Sequence, residues 1–255
     1  MKKIILVLIL ILITVTFLSA DIYVKSMQQT KAFEIMGKRS PERMEINEQW
    51  LGKNKFAQFS KDVNIIVDYD KKIMFFIINK EKIYFELPLN FNRSDLLEIL
   101  PKKIADIVKA VKITDALVNT DTEKKKIANW DCYSSEFSMV LMIPEINIMP
   151  KFKMKIWLTK DLPFDYKEYK SGMDEFMGQF ITGILNVDID SEKELEKMDK
   201  IEGFPVGSEV VVEIFGSEIK AESQVLEVTE KKAPPGIYSP PKGFTKKSFD
   251  SILRK

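Results

Sequence analysis

The fold is decided by residues 65–87, which read IIVDYDKKIMFFIINKEKIYFEL. Three apolar runs are separated there by two short polar segments, 70–72 and 79–81. Strands this short, joined by turns this tight, have to pair in antiparallel fashion. The middle run, 73–78, is apolar at every position, which predicts a strand that is covered on both faces.

The same kind of pattern extends along the chain on both sides of this stretch. Upstream, Met44, Ile46 and Trp50 share one face of a predicted strand, and residues 22–36 are expected to add one or two edge strands. Downstream, Phe152, Met154, Ile156 and Leu158 alternate with lysines, which is typical of a half-buried strand. Residues 209–215 and 218–229 predict a long hairpin, because Gly216 lies between them. The sheet is therefore expected to be mainly antiparallel.

Three helices are predicted between these strands. The first, 94–111, has an apolar stripe interrupted by Pro101, which predicts a kink or two shorter helices. The second, 165–185, is oily and contains three glycines, each of which costs about 1 kcal/mol of helix stability relative to alanine. A third, short helix begins near Ser191. From residue 231 the chain is rich in proline and is expected to run extended along the surface or an edge.

The composition excludes several classes of chemistry. The chain has 255 residues, no histidine and one cysteine. These counts exclude a Ser-His-Asp triad, imidazole metal ligands, an intramolecular disulfide and a cysteine-based zinc site. The 39 basic residues nearly balance the 38 acidic ones, so there is no electrostatic drive toward nucleic acid. We expect no cofactor and no nucleic-acid partner.

Residues 1–20 have the layout of a secretory signal peptide. Lys2 and Lys3 precede an apolar run that is shorter than the ~20 residues of a spanning helix, and Ala20 offers a small residue at the cleavage position. We expect cleavage near Ala20 and a soluble periplasmic or secreted product, with retention as an anchor as the alternative. No cysteine follows the run, so no lipid anchor is expected, and membrane contact is expected only during export or transiently. Residues 21–255 then form a single domain.

Metal and thiol sites have weak support in the sequence. Asn186, Asp188 and Asp190 start like a calcium-binding loop, but the pattern fails at Ser191 and Lys197. The clustered methionines have sulfur ligands that suit copper, but core packing is the simpler interpretation. These methionines are Met139, Met142, Met149 and Met154. Cys132 is expected to be a buried strand residue rather than a reactive thiol, because Asp131 disfavours the thiolate. We expect no metal site and no catalytic residue.

Five short motifs, in this order after a signal peptide, resemble an exported bacterial family of unknown function that is similar to the LolA/LolB-like superfamily of lipoprotein carriers. The motifs are Ile46-Asn47-Glu48-Gln49-Trp50-Leu51-Gly52, Ile127-Ala128-Asn129-Trp130-Asp131-Cys132, Lys155-Ile156-Trp157-Leu158-Thr159 with Asp161-Leu162-Pro163-Phe164-Asp165, Ile201-Glu202-Gly203-Phe204-Pro205-Val206, and Pro240-Pro241-Lys242-Gly243-Phe244. The resemblance implies an α+β fold, mainly antiparallel β: a strongly curved sheet forming a half-open barrel, with two or three helices covering its concave face.

In the lipoprotein carriers such a concave face receives acyl chains. We therefore expect a non-enzymatic protein that binds a lipid, an acyl chain or another hydrophobic ligand in a cavity between sheet and helices. The candidate lining residues are Met173, Phe176, Met177 and Phe180 from the second helix, and Trp50, Phe75, Met154 and Ile156 from the sheet. Ordinary core packing is the alternative for each of them. A protein-interaction module of the cell envelope, acting as a stress sensor or assembly subunit, and an enzyme with a dispersed carboxylate site are the alternative functions.

Overall fold

The computed structural model describes residues 21–89, 97, 102–120, 122–162, 164, 166, 186–187, 193–194 and 196–248. Within them, one α-helix, α1 (Lys102–Ala110), and two 3-10 helices, Pro144–Ile146 and Glu196–Lys200, accompany the strands. The strands are β1 Asp21–Thr30, β2 Phe33–Ile35, β3 Lys38–Ser40, β4 Arg43–Gly52, β5 Lys55–Phe59, β6 Val63–Asp68, β7 Ile73–Ile78, β8 Ile83–Pro88, β9 Lys112–Asn119, β10 Lys124–Ile127, β11 Trp130–Met142, β12 Lys151–Thr159, β13 Asn186–Val187, β14 Phe204–Ile214, β15 Ser217–Lys231 and β16 Thr245–Lys246.

Fourteen of these strands form one large sheet. Their order is β13-β9-β11-β12-β14-β15-β1-β4-β5-β6-β7-β8-β16, and β10 pairs with β11 beside β9. Neighbours pair in antiparallel fashion except β13 with β9 and β16 with β8. The prediction of a mainly antiparallel fold is confirmed. In the described part of the chain the sheet is not closed into a barrel, and β2 and β3 form a separate hairpin.

The deciding stretch forms β6, β7 and β8 with the predicted pairing. Met74 of β7 packs against one core cluster and Phe75 against another. The two clusters lie on opposite faces of the sheet, because successive side chains of a strand alternate. The prediction that this strand is covered on both faces is confirmed.

The prediction that residues 22–36 supply edge strands is wrong. β1 lies inside the sheet, between β15 and β4, and joins its two halves. Ile22 and Val24 are buried on one face and Tyr23 on the other. A strand that is hydrogen-bonded along both sides and covered on both faces needs apolar residues in sequence, which the run Ile22-Tyr23-Val24 supplies.

The prediction of two or three α-helices over one face is not met in the described residues. α1 accounts for the second part of the predicted helix 94–111. The predicted helix 165–185 lies outside the described residues, and the described part of the third is mainly the 3-10 helix Glu196–Lys200. No helix among the described residues is long and apolar enough to cross a membrane.

The proline-rich tail lies against the sheet, and turns at 235–238 and 242–243 interrupt the extended course that was predicted for it. Ala233, Ile237, Tyr238 and Phe244 pack against the buried cluster formed by Tyr23, Trp50, Ala57, Ile66 and Ile77. Further along, the tail forms β16, which pairs with β8 at the edge of the sheet. The tail thus covers one face of the β1–β7 region and part of an exposed edge, where unpaired backbone groups would otherwise invite association.

Candidate ligand-binding face

Five neighbouring strands, β9, β11, β12, β14 and β15, have two chemically different faces. On one of them, Met154 lies opposite Phe137 and Val210, and Val210 lies opposite Ala221. This side, the apolar face, consists of Val118, Phe137, Met139, Phe152, Met154, Val210, Val212, Ile219 and Ala221. The strands alternate strictly here, so one apolar surface crosses all five of them.

Burial of the apolar face decreases across the sheet. Val118 and Phe137, at the β9 side, are 4% and 7% exposed, and Phe137 stacks at a tilt on Phe152 with 5.9 Å between ring centroids. Phe152, Met154, Val210 and the residues beyond them on β15 are only partly buried. The side chains of β12, β14 and β15 therefore keep apolar surface that a ligand could cover.

Segments at both ends of the strands fold over the apolar face. At one end, Met198 and Ile201 pack against the cluster that contains Val118 and Phe137. At the other end, Phe33 of the β2–β3 hairpin lies across a cavity from Ile219. The centre of the face lies between these two covers.

The cavity beneath the β2–β3 hairpin has a volume of about 320 Å³. It is lined by Gln28, Thr30, Phe33, Ser40, Arg43, Glu45 and Ile219. Arg43 is exposed and has no ion-pair partner among the described residues. A guanidinium at the end of an apolar surface suits a ligand with an acidic head and an apolar chain, because Arg binds carboxylate and phosphate groups through paired donors.

The opposite side of the same strands, the charged face, carries ion pairs instead. Glu213 lies 3.6 Å from both Lys151 and Lys153, and Lys155 lies 3.1 Å from Glu136. A hydrogen bond to Glu123 raises the pKa of Lys155 above its usual value. The lysines that pair with Glu213 are more than half exposed, and such pairs contribute little to stability, whereas the Lys155 side chain is only 19% exposed.

Trp157 lies where the charged face meets the central core. A bulge shifts the pairing of β12 with β14 at this residue. The Trp157 Nε1 donates to Glu209 at 3.1 Å, and the Lys125 Nζ lies 3.7 Å above the indole ring. A shallow cavity of about 380 Å³ lies beside it, with Met27 and Gln224 in its lining. Trp157 is buried, so the indole is held mainly as a structural group.

The predicted lining residues divide between the two faces. Met154 lies on the apolar face, and Ile156 on the same side opposite Ser135 and Ser208. Trp50 and Phe75 lie on the other side, beneath the C-terminal tail, so they cannot line one cavity with Met154. The predicted helical lining residues, Met173, Phe176, Met177 and Phe180, lie outside the described residues.

Val210 and Val212 of the apolar face, and Ile219 and Arg43 of the cavity, were not predicted from the sequence. A signal was present: Glu209 and Glu213 alternate with the valines, as Glu218 and Lys220 alternate with Ile219. This alternation is typical of a strand with one solvent-exposed face and one apolar face. The position of Arg43 depends on the pairing of β4 with β1, which no local pattern reveals.

The structure shows where Cys132 and several of the clustered methionines lie. Cys132 is buried in β11, which confirms the expected position, and burial raises the pKa of its thiol. Met139 and Met154 pack in one core cluster, whereas Met149 is exposed at a hairpin tip. Asn186 belongs to β13, and Asp188 and Asp190 lie outside the described residues.

Two described carboxyl groups have a pKa below their usual value. Hydrogen bonds from Lys71 to Asp68, and from Lys197 to Glu194, lower the pKa of each acid. A general acid needs the opposite shift, toward neutral pH. Among the described residues no three cysteine, aspartate or glutamate side chains are grouped closely enough to hold a metal ion.

These features define a protein with a large open antiparallel sheet, one part of which is amphipathic. No family model matches the chain, and no curated protein matches it. A solved structure that is similar to it is the crystal structure of a DUF1329 family protein from Desulfovibrio piger, which is 10% identical with a TM-score of 0.29. The similarity covers 89% of this chain and 92% of that chain. The family name designates a domain of unknown function and assigns no activity.

Proposed function

We propose that the protein is an exported, non-enzymatic binder of a lipid, an acyl chain or another hydrophobic ligand, which lies on the apolar face. The observation that carries the proposal is the partly buried row Phe152, Met154, Val210 and Ile219, which ends at the cavity containing Arg43. Ligand sites of this kind are mostly apolar and hold a few polar groups that fix the ligand's orientation.

We further propose that the sheet curves around the ligand and that a helix covers it, as the sequence predicts. Curvature of the sheet around the apolar face would give a LolA-like half-open barrel, and the oily segment 165–185 would cover the ligand. Met173, Phe176, Met177 and Phe180 would then contact the acyl chain from the side opposite Met154. Arg43 would pair with the acidic head of the ligand at the mouth.

Binding of a fluorescent fatty acid to the purified protein tests the proposal. Met154→Gln on the apolar face should weaken binding about tenfold, because a buried methionine contributes about 1.5 kcal/mol or more. Lys153→Gln, one residue away on the charged face, is the matched control and should bind like the wild type. Equal binding by both variants, or no binding by the wild type, would contradict the proposal.

A second matched pair tests the head-group site. Arg43→Gln should weaken binding of the fatty acid but not of the corresponding alcohol, which carries no charge. Arg39→Gln, on an exposed position of β3, should leave both affinities unchanged. Equal losses for acid and alcohol would place the role of Arg43 in folding rather than in ligand recognition.

A protein-interaction role is the second candidate, and exposed apolar residues on β4 favour it. Met44 and Ile46 are 60% and 46% exposed on one face of the strand, beside Met27 of β1. Exposed apolar groups in a row are typical of contact surfaces. A photocrosslinker placed at Ile46 in intact cells should trap one defined protein if this role is correct, and diffuse products would count against it.

A further inference from the structure

Three hairpin tips at one end of the sheet carry exposed, large apolar side chains. Met36 at the tip of β2–β3 is 77% exposed, and Phe215 between β14 and β15 is 48% exposed. Ile146 and Met149 in the β11–β12 connection are 48% and 59% exposed. These four residues, the tip residues, account for half of the large apolar side chains that are most exposed in the described chain.

The strand register places the three tips at the same end. Lys151 at the start of β12 pairs with Glu213 near the end of β14, so the β11–β12 and β14–β15 connections lie side by side. Thr30 at the end of β1 pairs with Ala221 near the start of β15. The chain then leads into the β2–β3 hairpin at this end. Because neighbouring strands lie about 4.8 Å apart, the tips are spread over roughly 25 Å.

Two of the tips hold an apolar residue where the backbone disfavours it. Met36-Gly37 and Phe215-Gly216 both have positive φ at each residue, namely 50° and 78°, and 51° and 73°. Such two-residue turns prefer Asn-Gly, because a side chain other than Asn or Asp is strained in the left-handed region. At single positive-φ positions elsewhere, the described chain has the polar residues Asn54, Lys72, Lys82 and Asn147 and the small residue Ala128. Met36 and Phe215 are the large apolar residues among them, and the backbone preference of these turns favours neither.

Basic residues surround the tips. Segments 31–39, 102–112, 143–153 and 213–220 contain ten lysine or arginine residues and five acidic ones, against near equality in the whole chain. Segment 102–112 includes α1, which packs against the 3-10 helix Pro144–Ile146. This 3-10 helix contains the tip residue Ile146. Lysines near an interface attract anionic head groups.

We propose that this end of the sheet is a membrane-docking surface, and that the tip residues insert into the interfacial region of an anionic lipid bilayer. A bilayer fits the pattern because it accepts separate apolar side chains at several points without shape complementarity. A protein partner would need a continuous, well-packed patch between the tips. The inference does not depend on the proposed ligand on the apolar face.

Vesicle co-sedimentation tests the proposal with the chain from Asp21 onward, which contains the whole described sheet and lacks the predicted export segment. The vesicles are phosphatidylethanolamine with phosphatidylglycerol, and phosphatidylcholine alone serves as the neutral comparison. The wild type should bind the anionic vesicles more tightly. The double variant Met36→Asn/Phe215→Asn should lose about tenfold or more in affinity, as expected from two aromatic or thioether side chains that no longer enter the lipid.

The asparagine variants also separate docking from folding. Asparagine is favoured at both turn positions, so the double variant should have a melting temperature equal to or above that of the wild type. Leu226→Asn is the matched control: Leu226 is as exposed as Phe215 but lies within β15, away from the tips, and its loss should leave vesicle binding unchanged.

Three outcomes would overturn the proposal. The wild type would fail to bind either kind of vesicle, the double variant would bind like the wild type, or Leu226→Asn would weaken binding as much as the tip variants. Self-association of the wild type that the tip variants abolish would also overturn it, because the tips would then form an interface between copies of the chain. Sedimentation velocity without lipid measures that outcome.

Discussion

The two halves of the sheet differ in how their faces are covered. From Trp50 and Leu51 at the end of β4 to β7 both faces are covered, by the central core on one side and by the C-terminal tail on the other, whereas Met44 and Ile46 earlier in β4 are exposed. From β9 to β15 one face is charged and the other is a partly buried apolar face. Away from Met44 and Ile46, the first half gains stability from burial on two sides, whereas the second keeps a partly buried apolar surface on one side.

The C-terminal tail covers one face of the first half. The Lys231 Nζ lies 3.3 Å from the centroid of the Tyr23 ring, and the backbone N–H of Ala233 donates to an Asp21 carboxylate oxygen at 3.2 Å. These contacts hold the start of the tail against β1, and β16 pairs a later part of the tail with β8. The described chain has no equivalent extended cover over the centre of the apolar face, between Ile201 and the β2–β3 hairpin.

The largest effect is expected from removing a side chain beneath the tail. Trp50 is 5% exposed and packs against Tyr23 with 5.0 Å between ring centroids. Trp50→Ala should lower the free energy of unfolding by about 3–5 kcal/mol. Phe152→Ala, on the partly buried apolar face, should cost about half as much. Urea unfolding of both variants measures the difference, and equal losses would remove the contrast between the two halves.

The next largest effect is expected at Gly203, where the chain enters β14 close to the end of β12. Gly203 has φ of +95°, and an added Cβ would lie 2.9 Å from the Thr159 carbonyl oxygen, which is fixed in β12. Gly203→Ala should cost about 2 kcal/mol or more, from backbone strain and this clash. Gly236→Ala in the tail has similar φ, +82°, but no atom within 4 Å of the new Cβ, and should cost only about 1 kcal/mol. Thermal unfolding compares them, and similar losses would show that the junction can relax.

The sequence predicted the first half better than the second, for a physical reason. In residues 65–87 each strand and its partner are neighbours in the chain, so turn and strand patterns determine the pairing. β1 pairs with β15, which is about two hundred residues away, and no local pattern contains that information. Placing β1 at the edge was wrong for this reason. The clear alternation of β12 predicted the common face of Met154 and Ile156. Trp50 lies on the other side of the sheet from them, which the sequence did not predict because apolar residues occur on both faces of β4.

A smaller effect is expected from a buried carboxylate in the first half. Burial alone would raise the pKa of Asp68, but hydrogen bonds from the Lys71 side chain at 2.7 Å and its backbone N–H at 3.0 Å hold the pKa below the usual value. Because the pKa is lower in the folded state than the unfolded value of about 3.9, ionised Asp68 stabilises the fold above about pH 4. That stability is lost as the pH falls through the folded pKa.

Asp68→Asn should therefore cost about 1 kcal/mol at neutral pH, and this cost should shrink as the pH falls through the folded-state pKa of the wild-type carboxyl. Urea unfolding across this pH range measures the change. Asp70→Asn, at an exposed position two residues away, is the control for replacing a carboxylate in this turn. A constant difference between wild type and Asp68→Asn at all pH values would show that the variant acts through packing rather than through charge.

The smallest effect is expected on the charged face of the second half. Glu213 lies 3.6 Å from Lys151 and from Lys153, but both lysines are more than half exposed, so water screens the pairs. Glu213→Gln should change the free energy of unfolding by less than about 0.5 kcal/mol, and added salt should reduce even that. Urea unfolding at low and high salt measures it. If Glu213→Gln lowered the free energy of unfolding as much as Phe152→Ala, the ion pairs would be needed to stabilise the second half. The charged face would then have a structural role and would not simply be the solvent-exposed side of the sheet.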